Sequence, residues 1–332
     1  MIGIGIESSC DETSIGIVEA GRKLLSLQIH SQIKDHAEFR GVVPEIASRI
    51  HLEKINFLLD QAMSDAKLNF SDIQYVAVTN RPGLVGSLMI GANMARCISL
   101  VHKIPIVPID HLEAHLSVVY LEEKKVEFPY LGLLLSGGNT SIFLVTDFGK
   151  MELIADTIDD ALGEAYDKVA NMLELDYPGG PSVEKLAKLY IPSLDEKNPF
   201  PEILKDLPHS EMKFSYSGLK TSVMYYYKNH PNEKEKICYY FQKTAFKLIE
   251  KNLIRAINKT KIKNIIASGG VLANGDLRNF LIEFSKEKGI QILYPERKIL
   301  CTDNGAMVAT LGYYLFQKNQ VENLDFKVSP SR

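Results

Sequence analysis

The feature that most constrains this fold is a pattern that occurs twice. Near the start, the β-branched runs Ile2 to Ile6 and Ser14 to Val18 flank the polar stretch ESSCDET, which reads as a hairpin. In the second half, Tyr130 to Leu135 and Ser141 to Thr146 flank SGGNT in the same way. Aligning the two sets ETSIGIV at Glu12 to Val18 over NTSIFLV at Asn139 to Val145. The shared TSI is short, but each copy closes a hairpin whose tip is rich in Gly, Ser, Asp or Asn. The working architecture is therefore an α/β lobe written twice.

The flanking segments agree with it. Leu24 to His30 can add a third strand, and Pro44 to Ala66 carries Ile46, Ile50, Ile55, Leu58, Leu59 and Met63 roughly on one helical face. Tyr75 to Thr79 reads as a buried strand, and Pro82 to Leu100 as a small-residue helix. Ile104 to Ile109 reads as a further strand, followed by a helix from Asp110 to about Leu121. In the second half Ile262 to Ala267, a helix after Asn274, Ile290 to Leu293 and a last helix from about Asp303 to Phe316 supply the same alternation. Asp159 to Tyr240 is mainly helical, broken by an exposed loop with Pro192, Pro199, Pro201 and Pro208. The expected division is a first lobe at 1–125 and a second at 126–332, with a helical insertion at about 159–255 and the last helix bordering a central cleft.

Composition narrows the function. With 332 residues, 45% hydrophobic and 24% charged, the chain is globular, and its length suits two domains or one duplicated fold. Thirty-eight basic against 41 acidic residues leave a net charge of -3, so nucleic acid cannot be gripped by bulk charge and any contact must be a local patch. The scattered Cys10, Cys97, Cys238 and Cys301 form no CxxC pair, which argues against a disulfide framework or a thiolate zinc site and fits a reducing cytoplasm. MIGIGIESSCDE lacks the basic start of a secretory signal, and SGGNT interrupts the one long uncharged run, Phe128 to Thr146, so no membrane segment is expected.

Several constellations can carry chemistry. Two hairpins with small polar tips can clamp phosphate through backbone N–H groups, or be ordinary turns; Asp11 and Glu12 would repel phosphate unless a metal or a proton intervened. A second SGG, Ser268 to Gly270, lies between a strand and a helix, where open α/β folds bind nucleotides. HLEAH sets His111 and His115 one helical turn apart, able to share a metal or to serve as surface or capping groups. Leu112 stands where a zinc-protease helix needs its glutamate, which disfavours that chemistry. Asp303 in CTDNGAM is the best third ligand, and two imidazoles plus a carboxylate suit Zn or Fe(II). Asp160, Glu164 and Asp167 share a helix face ahead of the tight turn DYPGGP, either a solvated face or a pocket for the amine of a small substrate. Lys243, Lys247, Lys251, Arg255 and Lys259 recur every fourth residue, as the polar side of an amphipathic helix or as a tRNA or acidic-partner stripe.

Taken together, GIESSCDETS, GVVPEIASRIH, PGLVGSL, DHLEAH, LLSGGNT, DDALGEAYDKVA, YPGGP, FSYSGLKT, ASGGVLAN and CTDNGAM closely resemble, in order, the TsaD family of tRNA threonylcarbamoyladenosine-forming proteins. The resemblance implies the duplicated actin-like ATPase fold of sugar kinases and chaperone ATPases, RNase H-like in each lobe, with a nucleotide cleft. It implies one divalent metal, Fe(II) or Zn, on His111, His115 and Asp303, and adenine-nucleotide or threonylcarbamoyl-AMP contacts at Leu134, Leu135, Ser136, Gly137, Gly138, Asp167, Gly180 and Asn274. Glu184 stands where many members have a contacting Asp. Asn139 replaces a common His and is expected to tune phosphate contact; Arg81 replaces a usual Gly. The implied reaction is transfer of threonylcarbamoyl from its adenylate to the adenine 3′ of the anticodon in tRNAs reading ANN codons, metal-assisted, with Asp11 a candidate base by location. Implied partners are tRNA, a small paralogous TsaB-like subunit and a TsaE-like ATPase, in the cytoplasm. Alternatives are an ATP-dependent phosphotransferase of the same superfold and a non-catalytic nucleotide-binding scaffold.

Overall fold

A computed structural model describes residues 1–39, 41–122, 124, 126–208 and 211–331. The expected boundary residue Lys125 lies outside them. By contacts the chain forms two compact units. The first is Met1–Val126 with Asp147–Lys150 and Pro295–Arg332; the second is Glu127–Thr146 with Met151–Tyr294.

The first unit holds β1 (Ile2–Glu7), β2 (Glu12–Glu19), β3 (Lys23–Ser31), the short α1 (Ile33–His36), α2 (Pro44–Ala66), β4 (Tyr75–Arg81), α3 (Val85–His102), β5 (Ile106–Asp110) and α4 (His111–Ser117). Its sheet runs β3-β2-β1-β4-β5, antiparallel across β3, β2 and β1 and parallel from β1 through β4 to β5. The helix expected to reach Leu121 ends at Ser117 and continues as a 3₁₀ stretch, Val118–Glu122.

The second unit holds β6 (Tyr130–Leu135), β7 (Thr140–Asp147), β8 (Lys150–Thr157), α5 (Leu162–Met172), α6 (Gly179–Ala187), β9 (Lys213–Phe214), α7 (Ser217–Asn229), α8 (Lys234–Thr260), β10 (Asn264–Ser268), α9 (Gly275–Lys288) and β11 (Gln291–Leu293). Its order is β11-β10-β6-β7-β8-β9. Read from β8, the series β8-β7-β6-β10-β11 repeats β3-β2-β1-β4-β5, with β6 and β7 antiparallel and β10 parallel to both β6 and β11. This is the duplication that the TSI hairpins foretold. β9 and α5 to α8 are the insertion.

The last helix, α10 (Gly305–Gln317), departs from the expected division, since Pro295–Arg332 belongs with the N-terminal strands. The reason is written in β1 and β2. Strands bury alternate residues on opposite faces. In IGIGIE, Ile4 and Ile6 join Ile15, Ile17, Ile55, Leu58, Val76 and Val78 in the core under α2 and α3. On the other face Tyr75, Ala77, Val107 and Ile109 pack with Ala306, Val308, Ala309 and Leu311 of α10. There Gly5 and Gly16 let α10 lie directly on the sheet: a Cβ on Gly16 would stand 2.2 Å from the Ala306 backbone nitrogen, and one on Gly5 2.0 Å from the Gly305 carbonyl oxygen. Each buried Ile or Leu contributes roughly 1.5–3 kcal/mol, so a helix placed against both hairpin strands is firmly held.

Each TSI stretch holds a helix start, through its serine in the first unit and its threonine in the second. Ser14 Oγ accepts the Gly305 N–H at 2.9 Å, holding the first turn of α10, whereas Thr140 Oγ1 accepts the Leu162 N–H at 2.8 Å, holding the first turn of α5. Helix starts leave such N–H groups without intrahelical partners, so a hydroxyl on an adjacent strand satisfies them.

Candidate metal centre and substrate loops

β5 ends at Asp110, whose Oδ1 accepts from the N–H groups of Leu112 at 3.0 Å and Glu113 at 3.3 Å and so starts α4. The next residue is His111, and one turn later comes His115. Asp303 lies two residues before α10. His115 Nε2 is 3.0 Å and His111 Nε2 3.6 Å from Asp303 Oδ1, and the three candidate ligand atoms lie within 4.8 Å of one another. The structure thus brings together the two histidines paired by spacing and the distant aspartate chosen at the start of the last helix.

The charges support one another. Burial alone would lift the Asp303 carboxyl, but His111 and His115 overcome it and hold it down at about 2. Burial alone would lower His111, but Asp303 and Glu7 overcome it and raise it to about 9. Glu7, fully buried, is pulled up by burial and pulled down further by His111, so it ionises below the ordinary carboxylate range. Two imidazoles, each giving up the proton of one ring nitrogen, and a carboxylate in a buried setting are a donor set for Zn or Fe(II).

Asp11 sits at the β1–β2 tip of this unit, where its backbone carbonyl accepts the Gln32 N–H at 3.0 Å. Beside it, burial and the nearby Asp303 and Asp11 push the Glu12 carboxyl well up. Burial and neighbouring carboxylates thus both favour the neutral form of Glu12, the form that repels phosphate least. His51 anchors the same tip, with Nδ1 2.7 Å from Thr13 Oγ1 and Nε2 3.0 Å from the Cys10 carbonyl. Arg81 pairs with Asp110, Nε to Oδ2 3.5 Å, behind the start of α4.

In the second unit, Leu134 and Leu135 are fully buried in β6, so only their backbones can meet a ligand. Ser136 begins a tight turn: its N–H donates to the Asn139 carbonyl at 2.8 Å, and its hydroxyl accepts from the Asn139 N–H at 3.1 Å and amide at 3.4 Å. The turn is seated on the start of α5, where the Gly163 and Glu164 N–H groups donate to the Ser136 and Gly137 carbonyls, each at 3.2 Å. Gly137 and Gly138 have open space where a Cβ would stand, the condition for close approach by an anion.

Asp167, Glu184 and Asn274 are drawn into one hydrogen-bonded corner. Asp167 Oδ1 accepts the Gly179 N–H at 2.7 Å, starting α6, beside the open Gly180. Glu184 Oε1 accepts the Gly275 N–H at 2.9 Å, at the start of α9. Asn274 caps α9 through Oδ1 to the Leu277 N–H at 3.0 Å and gives its amide to Gln242 Oε1 at 2.7 Å. Gln242 also receives the Tyr166 hydroxyl at 3.1 Å and donates to Asp276 at 3.1 Å. Asp160 and Glu164, grouped with Asp167 by sequence, are instead tied to Lys168 at 2.7 and 2.8 Å, and Asp160 also pairs with Lys220.

The basic stripe divides on α8. Lys243 and Lys247 are exposed, but Lys251 reaches Glu202 at 3.3 Å and Arg255, buried, donates to the Glu211 and Leu207 carbonyls. Those two brace the proline-rich stretch. Sequence reasoning missed Glu7, Ser9 and Thr79 around His111, and Gln242 and Tyr166 around Asn274. The one available signal for Glu7 was an acidic residue closing an otherwise apolar strand.

A family model described as TsaD, tRNA N6-adenosine threonylcarbamoyltransferase, matches residues 23–310. A relative of that name from Leptospira interrogans serovar copenhageni is 58% identical over 100% of this chain and 98% of its own. Another, from Dictyoglomus turgidum, is 42% identical over 99% of this chain and 98% of its own. Among solved structures, full-length HypF in a phosphate- and nucleotide-bound form aligns with a TM-score of 0.64 at 15% identity, covering 97% of this chain and 47% of HypF. The ROK hexokinase from Thermus thermophilus aligns at 0.52 and 12% identity, over 96% and 100% of the two chains. These likenesses carry the actin-like, sugar-kinase fold.

Proposed function

This chain belongs to the TsaD family, the tRNA N6-adenosine threonylcarbamoyltransferases, and on that premise we propose how its residues divide the work. The protein is a transferase that forms N6-threonylcarbamoyladenosine in tRNA, and the phosphotransferase alternative is not favoured. The donor in our reading is threonylcarbamoyl-AMP, a mixed anhydride. The adenine N6 lone pair attacks the carbamoyl carbon, the bond from that carbon to the phosphate oxygen breaks, and AMP leaves with the electron pair. The acceptor is the adenine 3′ of the anticodon in tRNAs reading ANN codons. Asp11 is the group proposed to take the N6 proton.

The observation that carries the metal part is the buried cluster of His111, His115 and Asp303. These side chains would hold Zn or Fe(II), which when bound would polarise the carbonyl or offset charge on the leaving phosphate. The seated turn Ser136 to Gly138, with its open glycines, would receive the adenylate phosphate, and Asn139 would donate beside it. Leu134 and Leu135 would contribute backbone groups. Asp167, Gly180, Glu184 and Asn274 would line the threonyl and nucleoside side, the first and last as positioning residues since their side chains already start α6 and α9. Orientation at these points is where rate is gained.

Exposed Lys243 and Lys247 are offered as part of the tRNA contact. Leu52 and Phe57 of α2, each about 60% exposed, with Val85 and Met89 of α3, suit a small TsaB-like paralogue, with a TsaE-like ATPase as a further partner. None of the helices among the described residues is long and apolar enough to cross a membrane, and we place the enzyme with its tRNA in the cytoplasm. The test is tRNA modification with supplied threonylcarbamoyl-AMP by wild type and His111→Ala. Loss of product is expected; full product from the variant would remove the metal role.

A further inference from the structure

Behind His111 stands a carboxylate that none of the chemistry above uses. Glu7 closes β1 and is fully buried. Its Oε1 accepts the Ser9 N–H at 2.7 Å; its Oε2 accepts the Thr79 hydroxyl at 2.6 Å and faces His111 Nδ1 at 3.0 Å. Ser9 Oγ lies 3.2 Å from the same Nδ1. We propose that Glu7 is the positioning residue of the metal centre, holding the Nδ1–H of His111 so that Nε2 turns to the point shared with His115 and Asp303. The inference rests on the metal reading above.

A carboxylate only accepts, so three convergent donors satisfy it without water in a fully buried position. That assignment fixes the hydrogen of His111 on Nδ1, because a bare Nδ1 would set two acceptors against each other 3.0 Å apart. With Nδ1 taken, Nε2 is the nitrogen left for a ligand bond, and it is the one that points to Asp303 at 3.6 Å. His115 differs. Its Nε2 also points to Asp303, but its Nδ1 is buried with no hydrogen-bond partner among the described residues. Of the two imidazoles only His111 has a carboxylate on its Nδ1, so Glu7 should set the affinity and geometry of the centre, as outer carboxylates on ligand histidines do elsewhere. Thr79, one strand away on β4, locks the rotamer of Glu7 in turn.

The test is metal binding by the purified full-length protein, independent of turnover. Zn²⁺ affinity is measured by competition and Co²⁺ coordination by visible absorption, for wild type, Glu7→Gln, Thr79→Val and Thr79→Ser. The amide of Gln must set its NH₂ against at least one of the three donors. We expect Glu7→Gln to bind Zn²⁺ about 10- to 100-fold more weakly with an altered Co²⁺ spectrum. Thr79→Val should show a smaller loss and Thr79→Ser none. Wild type that binds neither ion would overturn the metal reading itself. Wild-type affinity and spectrum in folded Glu7→Gln would overturn the role of Glu7 and leave the metal reading standing. If Glu7→Gln does not fold, the two Thr79 variants decide: equal affinity and spectra for Val and Ser overturn the proposal.

Discussion

The junction between α10 and the first hairpin can be tested with one methyl group. In Gly16→Ala the added Cβ meets backbone atoms of Gly305 and Ala306 at 2.2 to 2.6 Å, where ordinary contact begins near 3.4 Å. Gly16 lies in a regular strand, so Ala fits its own backbone and the whole effect is steric. Relief needs a shift of roughly 1 Å of the first turn of α10, the usual scale at which added core atoms force backbone movement. Such a shift breaks the 2.9 Å bond from Gly305 N–H to Ser14 and carries Asp303 off His115, now 3.0 Å away. Overpacking costs about 1–3 kcal/mol and the lost hydrogen bond about 0.5–1.5 kcal/mol. At about 2–4 °C per kcal/mol for a unit of this size, the midpoint of metal-free protein should fall by roughly 3–18 °C. Transfer should fall on the order of 10²-fold, since a 1 Å misplacement has that effect. Thermal melts, Zn²⁺ titration and the tRNA assay measure the three consequences. Gly218→Ala is the control, because a Cβ there meets nothing within 4 Å. Gly16→Ala melting and binding metal like wild type would refute the claim that this strand face fixes Asp303.

Asn274→Ala removes the cap on α9 and leaves the Gln242 carbonyl only the Tyr166 hydroxyl, so the denaturant midpoint should drop by an amount equivalent to about 1–2 kcal/mol. Charge reversal at Lys243 and Lys247 should weaken tRNA binding and flatten its salt dependence with the melting temperature unchanged. Arg255→Glu should instead lower the melting temperature, because its two carbonyl partners lose their donor. For metal-free protein, His111 is raised in the folded state to about 9, so its stabilising share is complete below about 6.5 and is lost as pH rises through 9. Asp303, lowered to about 2, contributes above its unfolded value near 3.8 and loses that share as pH falls through 2. Melts across pH should therefore peak between these limits, and a midpoint that climbs from pH 7 to 9 would contradict the pairing.

Much of the architecture was legible because alternation and helical periodicity are local. Pro44–Ala66 was read to the residue, since Pro at the first helical position and the left-handed Lys67 after the last one bracket an apolar stripe. β8 was not read, because KMELIADT is exposed along most of its length and shows no buried face. α10 was read as a helix but assigned to the wrong neighbour: partner choice depends on Gly5 and Gly16, and a glycine in a strand does not say which helix will use the space. The site divides along the same line. His111 and His115 are one turn apart in sequence and needed no fold to be paired. Glu7 and Ser9 reach His111 from β1 and the hairpin tip, and Thr79 of β4 holds Glu7, a convergence that only the strand register produces.

On the reading proposed above, the duplication would also separate two chemistries, metal binding in one hairpin and phosphate binding in the other. In the first copy the tip must keep buried carboxylates beside imidazoles, so it is dense with donors: Glu7 takes three, and His51 pins the turn. In the second copy the strand ends in leucines, the turn is held by Ser136 and by the start of α5, and Gly137 and Gly138 stand open. That tip has no carboxylate to repel phosphate and nothing to ligate a metal. Exchanging them is therefore asymmetric: a side chain at Gly138 should raise the KM for the adenylate while sparing Zn²⁺ affinity, whereas Glu7→Gln should weaken Zn²⁺ and leave binding of AMP alone unchanged. Parallel loss of both ligands in either variant would show that the two hairpins do not divide the work in this way.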